Sequence, residues 1–145
     1  MAASLLLSLS LLTHISLSLL ISPSQNGCPW NLNTCTFAAF GGYLEILQYA
    51  HERGCPWDEG TCSGAAERGH LDVLKYAREN GCPWDDECCT TAAIEGHLAI
   101  LQWCVAKGCP WNPEECREAV KETLEAYRAA EIIAWIDTHC DSVKE

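Results

Sequence analysis

The sequence predicts an all-α fold, a right-handed solenoid of four stacked helix pairs with no sheet. Three observations predict it. Gly-Cys-Pro-Trp begins at Gly27, Gly54, Gly81 and Gly108, four copies of a tetrapeptide of uncommon residues at a constant interval of 27 residues. Each copy is followed at fixed offsets by a second cysteine (Cys35, Cys62, Cys89, Cys116) and a small pair: Ala38-Ala39, Ala65-Ala66, Ala92-Ala93 and finally Ala119-Val120. Within a unit the small and apolar residues fall at helical spacing: Cys62 with Ala65 and Ala66, then Val73 and Leu74 with Ala77. A helix pair of fewer than about 30 residues cannot bury its own apolar face, so units must stack and share their stability.

The units run 27–53, 54–80 and 81–107, with a capping unit at 108–136 and a tail at 137–145. Asn31, Asp58, Asp85 and Asn112 follow the tryptophans as N-caps of the first helices, and Pro113 takes the first helical position of the last. Acidic residues load the first turns (Glu59, Glu87, Glu114, Glu115), where the helix dipole favours them. Gly42, Gly69 and Gly96 end the first helices. The second helices end at Gly54, Gly81 and Gly108, with Pro56, Pro83 and Pro110 blocking continuation, and Gly27-Cys28-Pro29-Trp30 opens the series. The fourth unit lacks the Gly-His turn and carries Lys121, Glu122, Glu125 and Arg128 in its place, as the polar outer face of a terminal unit requires.

Composition narrows the function. At 145 residues the chain is one domain, and its net charge of -11 would repel a phosphate backbone, so nucleic acid is not expected as a partner. The chain has only two Phe and one Met against eleven Cys, so its core is expected to use small residues packed closely.

Ala65-Ala66, Gly69-His70-Leu71-Asp72-Val73-Leu74 and Gly81-Cys82 resemble the Ala-Ala, Gly-His, Glu-Val-Val and Gly-Ala positions of the ankyrin repeat. The order and spacing agree in the second and third units. Against the family's usual unit of about 33 residues, the 27-residue unit here is shorter where the projecting hairpin would be, with Pro-Trp-Asp in its place. Cys62 and Ser63 replace the Leu and His of the family's first-helix opening. The resemblance implies an ankyrin-like solenoid with shortened hairpin loops, a scaffold that binds another protein and performs no catalysis.

Partner choice is then expected where the copies differ on the first helices: Phe37, Gly64 and Thr91 in one column, Phe40, Glu67 and Ile94 in another. Cover from the N-terminal segment is the competing account of Phe37 and Phe40. The column of Trp30, Trp57, Trp84 and Trp111 is the same in every copy, which marks it as part of the architecture, a wedge between layers rather than a contact surface.

The Cys-x6-Cys register raises a cysteine-based metal or thiol-redox protein as the alternative. Packing is the stronger reading, because zinc sites pair their ligands more tightly and a first-helix Cys at a Leu position is a small hydrophobe. No metal or cofactor is expected. His70 and His97 sit in tight turns without a nucleophile at a recognisable spacing, so they are read as turn residues.

Residues 1–25 form an apolar lead-in, with nine Leu, two Ile and five Ser between residues 2 and 21 and no Lys or Arg before Arg53. A cleaved signal, an anchor and an artefactual extension all stay open. Repeats rich in free thiols favour the cytoplasm, with secretion or membrane contact only if the lead-in is a real signal or anchor. Because the period begins at Gly27, deleting residues 1–24 is expected to leave the repeats folded.

Overall fold

The computed structural model describes residues 32–140. Within them lie eight helices and no strand: α1 (Leu32–Phe40), α2 (Leu44–Glu52), α3 (Glu59–Glu67), α4 (Leu71–Glu79), α5 (Asp86–Ile94), α6 (Leu98–Ala106), α7 (Pro113–Thr123) and α8 (Ala126–His139). The lead-in, Gly27, Pro29, Trp30, Asn31 and the tail beyond Cys140 lie outside the described residues.

One local device ends each of the first six helices. At Gly69 the amide bonds to the carbonyl of Ala66 at 3.3 Å, and the next amide, that of His70, reaches back to Ala65 at 2.9 Å. This is a Schellman motif, and it needs a left-handed residue at its pivot. Gly69 supplies it with φ of +80°. The same pair of bonds recurs at Gly42, Gly54, Gly81, Gly96 and Gly108, all with positive φ. The motif explains two columns of the repeat together. The Ala-Ala pair provides the two accepting carbonyls of each first helix, and the cysteine of Gly-Cys is the residue after the pivot, whose side chain folds inward. Cys55, Cys82 and Cys109 are accordingly buried.

Each of α1, α3, α5 and α7 packs against the helix that follows it, and α1 packs on α3, α3 on α5 and α5 on α7. The second helices α2 and α4 also touch. Between the helices lies one continuous core of Ala38, Ala39, Ala65, Ala66, Ala92 and Ala93 with the cysteine column, backed by Leu47, Leu74 and Leu101 from the second helices. Small residues on the first helices allow backbones to approach closely. A methyl group at Gly64 would lie 3.7 Å from both Phe40 Cβ and the carbonyl oxygen of Thr36.

At the helix starts, only part of the expected capping is made. Asn112 accepts from the amides of Glu114 at 3.1 Å and Glu115 at 3.3 Å. Asp58 and Asp85 stand at the N-cap positions in extended conformation, but neither side chain caps. Their main-chain carbonyls instead accept from thiols one unit on, Cys82 Sγ to Asp58 at 3.3 Å and Cys109 Sγ to Asp85 at 3.2 Å. In the last pair two extended residues, Leu124 and Glu125, break the helix in place of the glycine turn, and α8 continues to His139.

Candidate functional site

The surface of the first helices is built by register. Phe37, Gly64 and Thr91 share one position in α1, α3 and α5, but they do not share an environment: Phe37 is 71% exposed, Thr91 is half-buried and Gly64 is buried against α1. In α3 this position turns to α1, so the expectation that the column forms an open contact face is corrected at Gly64. Phe40, Glu67 and Ile94 are half-buried at the ends of the same helices. The Arg68 guanidinium lies 4.0 Å above the Phe40 ring, with Glu67 Oε1 at 3.9 Å from Arg68 Nε. The result is a charged and aromatic patch shared by two adjacent pairs.

The tryptophans lie on the opposite side. Trp57 stacks on His51 of α2 at 3.7 Å and meets Tyr76 of α4 edge-on at 6.4 Å. Trp84 lies beneath the Arg78 guanidinium of α4 at 4.1 Å and edge-on to Trp103 of α6 at 6.0 Å, while Trp111 pairs with Trp135 of α8 at 5.9 Å. Arg78 also donates to the Cys82 carbonyl. All three rings are half-buried; Trp57 bridges α2 and α4, Trp84 bridges α4 and α6, and Trp111 lies against α8, so they line an edge rather than fill a closed layer. Their cost on removal is set by that partial burial.

The histidines have a role that one unit alone does not reveal. His97 Nε2 lies 3.1 Å from the Glu67 carbonyl, and its ring covers Gly69 of the preceding turn. His70 covers Gly42 in the same way. In the last unit, where no histidine stands, Arg128 takes over: its guanidinium donates to the Glu95 carbonyl at 3.3 Å and lies over Gly96. His97 and Arg128 thereby meet carbonyls at the C-terminal ends of α3 and α5. The signal in the sequence is the fixed offset between each histidine and the glycine one unit earlier.

Compared with known proteins, the chain matches no family model and no curated sequence.

The thiols are the remaining chemistry. None of the ten cysteines in the described region is in a disulfide, and all but Cys140 are buried. Burial pushes Cys35 up to about 12, and burial likewise raises Cys116. Such thiols are held protonated and are poor nucleophiles. The third unit adds two cysteines where the second has Thr61 and Ala77, and these two, Cys88 and Cys104, approach to 3.9 Å. Among the described residues no group of three or more His, Cys, Asp or Glu side chains is arranged to hold a metal ion. Nor is any helix there long and apolar enough to cross a membrane.

Proposed function

We propose that this chain is a protein-protein interaction module, an ankyrin-like solenoid of four stacked helix pairs with shortened hairpin loops, acting without catalysis. One observation carries the reading. The alanine and cysteine columns common to the copies are buried and the common glycines serve as turn pivots, while the half-exposed ends of the first helices carry a different residue in each copy: Phe40, Glu67 and Ile94. A framework that repeats and a surface that does not is the arrangement by which stacked repeats present a specific contact face. The partner is another protein, met through aromatic, acidic and aliphatic groups in turn.

The test is capture with the full chain, comparing wild type with Phe40→Ala, Glu67→Ala and Ile94→Ala. At least one variant should weaken capture of the same protein by more than about 1 kcal/mol while the melting temperature stays within error of wild type. Undiminished capture by all three variants would remove this face. A thiol centre is the second reading, favoured by the approach of Cys88 to Cys104. It requires stoichiometric metal, or a fixed disulfide needed for folding, in the purified protein.

A further inference from the structure

The two most exposed large apolar side chains of the first pair are Phe37, 71% exposed, and Tyr43, 59% exposed. Neither position is exposed by its place in the repeat. The counterpart of Phe37 in α3 is Gly64, buried against α1. The counterparts of Tyr43 are His70 and His97, each laid over the glycine turn of the preceding pair. Phe37 and Tyr43 thus mark the side of α1 and α2 that turns toward whatever comes before them. At the contact position Phe37 is far bulkier than Gly64 or Thr91, so the surface it meets is not a copy of the pairs that follow.

The chain preceding α1 fits that description. Leu17, Leu19 and Leu20 stand 27 residues before Leu44, Ile46 and Leu47, and so in register with Leu71, Val73 and Leu74 and with Leu98, Ile100 and Leu101. Leu20 falls in the column of Leu47, Leu74 and Leu101, each fully buried. Gly27 then takes the pivot register of Gly54 and Gly81. Two departures make this stretch something other than a regular pair. Leu11 and Leu12 stand where α1 has Ala38 and Ala39, bulky residues in place of small ones, and Pro23, which has no backbone donor, stands where α2 has Ala50.

We propose that residues 5–22 dock on the face of α1 and α2 that bears Phe37 and Tyr43, with Leu17, Leu19 and Leu20 in the register of a second helix. The segment is the N-terminal cap of the array, and the apolar residues that resemble a signal or anchor are the surface that covers Phe37. A tether of only nine residues, 23–31, holds the segment near this face at high effective concentration. The proposal uses the packing of neighbouring pairs and not the partner-binding role, so either can fail alone.

Hydrogen exchange on the full chain tests it, with the N-terminus of the purified protein sequenced first. Amides of residues 17–22 should exchange at least about ten-fold more slowly than their sequence dictates. Leu20→Asp should speed exchange in α1 while α5 to α8 stay as in wild type, and Ala3→Asp, outside the docked stretch, should change nothing. Phe37→Ala should release residues 17–22 from the other side of the contact. Exchange of residues 17–22 at the intrinsic rate would overturn the proposal, as would a purified chain that begins after residue 22. A concentration-dependent dimer that Phe37→Glu dissolves would assign the face to a second copy instead.

Discussion

Two glycines with nearly the same backbone separate strain from crowding. Gly81 has φ of +84° with open space around it, whereas a methyl group at Gly69, φ of +80°, would lie 2.9 Å from His97 Cε1. Gly81→Ala should cost only the left-handed conformation, about 1–2 kcal/mol. Gly69→Ala must also displace the ring that meets the Glu67 carbonyl, so its loss in urea unfolding should be larger. In a His97→Ala background the two costs should converge. The thiols give a pH dependence of defined sign. Cys35 is raised from 9.0 to about 12 in the folded chain, so below pH 9 it is protonated in both states and its contribution is intact. Above pH 9 the unfolded chain releases the proton while the native chain keeps it, and stability falls as pH rises toward 12. Urea midpoints at pH 7, 9 and 10 should decline, with a shallower decline in Cys35→Ala.

At the scale of the element, Asn112→Ala should cost about 1 kcal/mol, since its side chain satisfies two amides of α7. Asp85→Ala should cost less, because that side chain makes no cap. Thermal melts of the two variants decide it. The helix boundaries were legible in the sequence for a local reason: glycine pivots, the following proline and the alanine pair all act within one turn of chain. Contacts between units were harder to read. Periodicity puts Phe37, Gly64 and Thr91 on one face of their helices, but it does not say that the face meets the preceding helix. The cross-unit reach of His97 and the substitution of Arg128 for it join residues about one unit apart, beyond any local pattern. Asp58 and Asp85 were expected to cap because of their type and place; the carbonyl, not the carboxylate, turned out to be the group with a partner, the thiol of Cys82 or Cys109.

For the whole molecule, Trp57 and Trp84 tie successive second helices together, so loss of either ring should be felt on both sides of it. Half-buried rather than enclosed, Trp57 should cost roughly 2–3 kcal/mol on replacement by Ala, below the range for a core aromatic. Exchange should quicken in both α2 and α4, which hold its neighbours His51 and Tyr76. Capture of the partner should survive below the melting temperature. If Trp57→Ala instead kept full stability and lost the partner, the tryptophan edge would be the contact face.

The burial of so many thiols makes the protein's history matter. While the chain is folded, the interior keeps nearly all of the described thiols away from oxidant. Once it opens, eleven cysteines become available together, and an odd number permits on the order of ten thousand ways of forming five bridges. None is formed among the described residues, and a bridge between sulfurs that belong in different layers would block return to the fold. Heating without a reductant should therefore be a one-way process, whereas the same cycle with the thiols kept reduced should retrace itself.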